Sequence, residues 1–460
     1  MHWIPEREVS FHPHSYGDPA GRLFWWNGQL YRGIRSEWAP FFTQLFRDGV
    51  IQKLVDGGLL IESEITPLVL DGYGLVVRHR CVPFVSYPHE WCAAMFKEAA
   101  FTYIKLAREL VRRGLILKDT HPWNLLFEGC KPVYVDLTSI RAITDDSKYP
   151  PYDKFCRYYL YPLLLMSHGQ ERIARCLLPE YEGILKSDLL LLTQGTTPLM
   201  SRLTVDLWQR VPEPCRSLLN RALRPLQWLF RKQSSGPNSQ LDFLEKIRRE
   251  VESIRLPSAK TELLDDDRNS IPGLSSQGTS TTKQLDLHKI LTDLRPGSLL
   301  AIGSNTGWCS RLAALVGSRV VSFDTDSTNI TQLYYDARDK NLPILPLIMD
   351  FTDLTPSRGL SSHLSIAATE RFQCDMVVAL ALVNHVVSRR QLNFNQIVGG
   401  LALFSKRWLV VDFIPMHGRQ SDGFSWYTLD NFISTLKERF RSVSIMPSHP
   451  ETCVLLLCEK

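Results

Sequence analysis

Two groups of residues in this 460-residue chain have the types and spacing to do chemistry. The first is Leu299-Leu300-Ala301-Ile302-Gly303-Ser304-Asn305-Thr306-Gly307, an apolar run entering a polar turn flanked by glycines, followed by a helical pattern from Trp308 to Val316. A strand, a tight loop and a helix start are where an α/β fold holds a nucleotide-like ligand, because ligands lie beyond the carboxyl ends of parallel strands. Gly303 and Gly307 allow the backbone to bend and to approach that ligand. Downstream, Asp324 follows Val320–Phe323 with Asp326 as fallback, and Asp350 with Phe351 follows Ile344–Ile348. Asp375 opens a fourth apolar run, which leads into a loop Ala381-Leu382-Val383-Asn384-His385. Singly, such an Asp is often a helix cap or turn former, and a lone histidine is usually a satisfied structural one. Four strand ends, each with a polar residue facing one rim, favour a ligand site. A dinucleotide dehydrogenase should instead show Gly-x-Gly-x-x-Gly.

The second group is Asp119, Asn124 and Asp136. Lys118-Asp119-Thr120-His121-Pro122-Trp123-Asn124-Leu125-Leu126-Phe127 leads through a Gly129 turn into Pro132–Leu137. An Asp, an Asn five residues on and a second Asp after a hairpin form the layout of a kinase catalytic loop. There the first Asp orients the acceptor hydroxyl, while the Asn and second Asp hold magnesium on the phosphates. The stretch is similar to the aminoglycoside-phosphotransferase and protein-kinase-like superfamily, which implies ATP and magnesium at this site. Several departures accompany the likeness. No glycine-rich loop precedes the hairpin's second strand, no Val-Ala-Ile-Lys follows, Leu117-Lys118 replaces His-Arg, and Leu137-Thr138 follows Asp136. Arg32 or Arg35 would have to do the lysine's work, and arginine is not its equivalent. Asp119 and Asn124 are also common turn formers, so a kinase-like fold without phosphoryl transfer is the favoured expectation.

Elements must position both groups. Asn27-Gly28 between Leu23–Trp26 and Gln29–Ile34 predicts a hairpin. Ser36 should cap a helix reaching Gly57-Gly58, with strands near Leu59–Glu62 and Leu75–Arg80 and an amphipathic helix over Phe96–Arg113. Residues 149–231 read as helices punctuated by prolines, and Ser239 opens a helix with Leu241, Leu244, Ile247, Val251 and Ile254 on one stripe. From Leu256 to Lys283 the composition turns to Ser, Thr, Asp, Gly, Pro and Gln, which predicts a linker. The expected domains are 1–231, kinase-like; 232–285, helix and flexible linker; and 286–460.

That last domain alternates strand and helix through five βα units and closes with a hairpin of Val443–Met446 and Cys453–Cys458. The fold class is α/β, a mostly parallel Rossmann-like sheet with helices on both faces, preceded by an α+β domain. This ordering resembles class I S-adenosylmethionine-dependent methyltransferases from about residue 286 onward. The resemblance implies that Gly303, Ser304, Asn305 and Gly307 form the loop for S-adenosylmethionine. It implies further that Asp324 bonds the ribose hydroxyls, that Asp350 and Phe351 contact adenine, and that His385 is the base for the acceptor. Ala301 stands where an acid is common, so one contact to the methionine part is missing. The Lys118–Phe127 stretch, Val135-Asp136-Leu137-Thr138-Ser139 and Ile302–Trp308 together resemble the rhizobial NoeA-like family of host-specific nodulation proteins. That likeness implies a small, saccharide-like acceptor.

Composition bounds the remaining expectations. A net charge of +5 is small for this length, and no Lys/Arg run supports a nucleic-acid partner. Ten scattered cysteines without a Cys-x-x-Cys pair lack the spacing of a zinc site or disulfide framework. No apolar run reaches the ~18–20 residues needed to span a bilayer, and the first residues lack the order of a signal peptide. A reduced, cytoplasmic protein without a membrane partner is expected.

Overall fold

The computed structural model describes residues 2–143, 152–180, 182–193, 237–257, 282–362, 364–416, 423–448 and 452–460. Most of the predicted helical region beyond 193 and of the predicted linker lies outside the described residues.

Strands are numbered in chain order. β1 (His2–Trp3) pairs with β6 (Leu68–Val69). β2 (Ser10–Phe11), β3 (Gly21–Trp26), β4 (Gln29–Ile34), β5 (Ser63–Ile65) and β7 (Leu75–His79) form an antiparallel sheet in the order β2-β3-β4-β7-β5. Asn27 and Gly28, with φ of 49° and 70°, make the two-residue turn between β3 and β4, as their pairing predicts. The sheet has two different faces. Phe24, Tyr31 and Val76 close a small core with Ile4 and Leu70, while Leu23, Trp25, Leu30, Arg32 and His79 face a cleft.

The region between β4 and β5 departs from expectation. Two helices, Ala39–Arg47 and Val50–Asp56, replace the single one, because Gly49 adopts a left-handed φ of 69°. Trp38 rather than Ser36 is the N-cap residue, and no side chain caps that helix. Leu59–Ile61 is buried but forms only an isolated bridge, Leu60 to Tyr134, so the strand starts later, at Ser63.

Helix Ala93–Val111 is followed by β8 (Leu115–Leu117), β9 (Leu125–Glu128), β10 (Lys131–Tyr134) and β11 (Ile140–Ala142), and it packs against β8 and β10. Helix Pro237–Ser253 lays the predicted stripe of Leu244, Ile247 and Val251 inward, against helix Ala93–Val111.

The C-terminal half holds β12 (Ser298–Ile302), β13 (Arg319–Asp324), β14 (Ile344–Ile348), β15 (Cys374–Ala379), β16 (Ser405–Phe413), β17 (Ser442–Pro447) and β18 (Val454–Glu459). They form one sheet in the order β14-β13-β12-β15-β16-β18-β17. The first five are parallel, and β18 runs antiparallel to both neighbours. Their near-continuous burial is what a parallel sheet covered on both faces requires. Helix Thr282–Leu294 leads into β12, so this half begins before residue 286, and its Lys283 pairs with Asp412 of β16 at 2.9 Å. The strand order reverses between β13-β12 and β12-β15, and in such sheets the carboxyl ends at that point are where ligands bind. No helix among the described residues is long and apolar enough to cross a membrane.

Candidate functional site

The glycine loop lies at the carboxyl end of β12. Gly303, Asn305 and Gly307 all take left-handed φ, of 69°, 46° and 76°. This alternation folds the five residues into a compact turn, closed by a 2.8 Å bond from the Gly307 N–H to the Ser304 carbonyl. Asparagine tolerates that conformation better than most side chains. Gly307 begins helix Trp308–Leu315, and a Cβ there would meet Leu333 Cδ1 at 2.6 Å. At Gly303 a Cβ would meet nothing nearer than 3.9 Å, so this side of the loop is open. The Ser304 and Thr306 hydroxyls are buried with no partner among the described residues.

Asp324, at the end of β13, is joined directly to this loop. Its Oδ2 accepts the Asn305 N–H at 2.7 Å and its Oδ1 accepts the Asp326 N–H at 2.9 Å. Burial pushes the Asp324 carboxyl above its ordinary value, against the lowering effect of those two N–H groups. Asp326 caps the next helix through the Thr328 N–H, which is the bland role considered for such residues.

Asp350 accepts from the Thr352 N–H and hydroxyl, both at 2.8 Å, and from Arg390 Nη2 at 2.7 Å. Burial would raise its carboxyl, but the Thr352 bonds and Arg390 carry it below the ordinary value. The Phe351 ring packs on Gly400, where a Cβ would lie 2.9 Å from Cζ. Asp350 is therefore the polar member of the pair on the rim. Asp375 lies at the start of β15, as expected, at the opposite end from the glycine loop, and exchanges hydrogen bonds with Ser298 at 3.0 and 2.9 Å.

His385 is not on a loop. Leu382–Arg390 is a helix with Leu382, Val383, Val386 and Val387 buried, and His385 is exposed on its first turn. Sequence reading missed what holds this turn. Ala381 is left-handed, with φ of 56°, and its N–H donates to the buried Asp412 Oδ1 at 2.7 Å. An alanine forced into that conformation is strained, and the strain falls between β15 and the helix carrying His385. The inward-facing carboxylate at the end of β16 was the available signal.

In the N-terminal half, Asn124 Nδ2 reaches Asp136 Oδ2 at 3.4 Å, and the charges of Asp119 and Asp136 both act on the half-buried His121. The structure thus brings all three predicted residues into one neighbourhood. Of the two candidate cations, Arg35 is exposed and Arg32 points inward. Arg32 pairs with Asp18 at 3.0 Å and Asp136 at 3.2 Å, and it donates to Thr138. The Thr138 hydroxyl lies 2.5 Å from Asp18 Oδ2 and 2.9 Å from Asp136 Oδ1. Among the described residues there is no cluster of three or more His, Cys, Asp or Glu suited to a metal.

The halves meet through a second ion pair. Arg371 donates to Glu90 Oε1 at 2.5 Å and Oε2 at 3.1 Å, and to the Val85 carbonyl. Both side chains are within 2% of complete burial. Tyr87 beside them accepts the Ile366 N–H at 2.8 Å.

With this geometry in view, no family model matches the chain. Solved structures that match in part include methyltransferases. Magnesium protoporphyrin IX methyltransferase from Synechocystis PCC 6803 with bound SAH is 13% identical, covering 38% of this chain and 82% of that one, at a TM-score of 0.29. An O-methyltransferase family protein from Burkholderia thailandensis is 12% identical, covering 38% and 56%, at 0.29. The chain is similar over nearly its whole length to the nodulation protein NoeA of Rhizobium meliloti (strain 1021). Identity there is 24% over 451 residues, covering 94% of this chain and 92% of the relative.

Proposed function

We propose that the C-terminal half is an S-adenosylmethionine-dependent methyltransferase acting on a small, saccharide-like acceptor. The observation that carries this is the left-handed Gly303–Gly307 turn at the reversal of strand order, tied to Asp324 and bearing an unpartnered Ser304 hydroxyl. The open side of Gly303 and that orphaned hydroxyl fit a polar ligand lying against the loop. When bound, S-adenosylmethionine would supply an electrophilic methyl group on a sulfonium.

The chain's own residues supply the rest. Asp324 retains lone pairs to accept ribose hydroxyls after its two loop bonds. Asp350, fixed by Thr352 and Arg390, presents a carboxylate at the next strand end. Holding two reactants in line accounts for much of the rate in such a displacement. His385, exposed on the rim, would take the acceptor's proton. The sheet with its closing antiparallel pair agrees with the methyltransferase resemblance, and the similarity to a nodulation protein supports an acceptor in host-specific nodulation.

The N-terminal half is read as a kinase-like scaffold that binds or presents the acceptor. Phosphoryl transfer is the weaker reading, because Arg32 already occupies the carboxylate of Asp136 that would hold magnesium. Calorimetry of the full chain with S-adenosylhomocysteine tests the proposal. Binding that weakens in Asp324→Ala is expected, and absence of binding at millimolar ligand overturns it.

A further inference from the structure

The cleft between the antiparallel sheet and the β8–β10 region is a cavity of about 240 Å³. Trp25, Leu23 and Leu30 line it from the sheet, Tyr87 and Trp123 from the other side. Its polar groups are arranged unusually. The Arg32 guanidinium is held between Asp18 and Asp136, one positive charge against two negative, and Arg80 is paired with Glu128 and Glu62. The excess carboxylate charge repels a phosphate, and among the described residues no cluster of three or more His, Cys, Asp or Glu is suited to a metal ion.

Two buried polar atoms of cleft-lining residues have no partner among the described residues: Arg32 Nε and His79 Nε2. His79 is 4% exposed. Cross-strand register puts it opposite Leu30, on the same face as Arg32, because directly paired residues share a face. Its tautomer follows from its neighbour. Ser63 Oγ spends its one proton on the Ile61 carbonyl at 2.9 Å and lies 2.8 Å from His79 Nδ1. With the Ser63 proton on the Ile61 carbonyl, Nδ1 carries the imidazole proton and donates to Ser63 Oγ, which leaves Nε2 as an acceptor. Burial, with the charge of Arg32, pushes the imidazole down to about 3, so it stays neutral in ordinary buffers. A buried acceptor without a donor is unfavourable, and here it shares one cavity with an unpaired donor and three aromatic side chains.

We propose that this cleft binds an uncharged ring compound bearing hydroxyl or amino donors, held without phosphate or divalent cation, with His79 Nε2 as its acceptor and Arg32 Nε as its donor. The flat rings of Trp25, Trp123 and Tyr87 take the apolar faces of such a compound. Nucleosides and glycosides share this chemistry. A bound glycoside would deepen the acceptor-binding role proposed above for the N-terminal half, whereas the cleft's own chemistry does not depend on methyl transfer.

The test is calorimetry of the full chain with adenosine, with a methyl glucopyranoside, and with ATP in magnesium or in chelator. Saturable binding of adenosine or of the glycoside is expected, and whichever binds identifies the source. ATP should bind more weakly than the uncharged ligand, with magnesium making no difference. His79→Phe should weaken binding about tenfold or more, while His79→Gln, which keeps an acceptor, should retain most of it. Three results overturn the proposal: no binding of either uncharged ligand at millimolar concentration, binding unchanged in His79→Phe, or ATP binding that requires magnesium. Circular dichroism and thermal melting show each variant folded, which keeps this outcome separate from the fate of the methyltransferase reading.

Discussion

Glu90 and Arg371, separated by 281 residues in sequence, form a two-pronged ion pair with almost no exposure to water. The Arg371 guanidinium also lies 4.2 Å from the Tyr87 ring and 4.4 Å from the Phe372 ring. One contact thus joins the segment ahead of helix Ala93–Val111 to the short helix that precedes β15.

Removing one member leaves the other charge buried. Arg371→Ala should lower stability by about 3–5 kcal/mol in urea melts, whereas the paired replacement Glu90→Leu/Arg371→Met should recover most of that loss. A single mutant within about 0.5 kcal/mol of the parent would show that water reaches the pair.

Acid should act on the same pair. Burial would raise the Glu90 carboxyl, but Arg371 holds it below its ordinary 4.5. Its contribution is therefore full above that value and is lost as pH falls below it. Stability measured against pH should show this acid loss in the parent and not in the doubly substituted protein.

Two buried histidines titrate earlier. Burial depresses His79 to about 3 and His89 to about 4, so the unfolded chain binds protons that the folded one does not. Stability should be full above the ordinary 6.5 and should fall as pH drops from there towards 4. The slope should be roughly 1.4 kcal/mol per pH unit for each histidine. His79→Gln should remove one share of that slope. An unchanged slope would mean that His79 is protonated in the fold.

The two loop glycines should respond differently to alanine. Gly307→Ala adds a Cβ 2.6 Å from Leu333 at a left-handed φ, so a loss of about 2–4 kcal/mol is expected by thermal melting. Gly303→Ala has room and should lose only about 1 kcal/mol. Its Cβ enters the open side of the loop, so S-adenosylhomocysteine affinity should fall further than stability does. Equal stability losses in the two variants would count against this packing.

The C-terminal strands were legible because a doubly covered parallel sheet writes itself as short apolar runs separated by helix-length intervals. Ser298–Ile302 and Ile344–Ile348 are buried at every position. Helix Leu382–Arg390 was hidden because Asn384, His385 and Ser388 give its outer face the composition of a loop. The sequence left Arg32 and Arg35 open; the register of β4 decides, because Leu30 and Arg32 share the inward face opposite His79 and Val77 while Arg35 lies past the end of the strand. The partners of Arg32 were a different matter. Asp18 and Thr138 are 120 residues apart, and no local pattern announces their meeting. The Glu90–Arg371 pair, and Asp412 beneath Ala381, were invisible for the same reason.

The apolar interior is continuous across the two halves. Trp91 meets Phe127, Phe127 meets Tyr334, and Phe84 meets Phe372, which in turn stacks edgewise on Phe323 inside the Rossmann-like sheet. A cut anywhere between residues 258 and 281 would therefore nick the chain without releasing either piece. Either piece made alone would turn a row of aromatic rings towards water and clump with its own copies. A substitution at this seam is therefore felt by both halves at once.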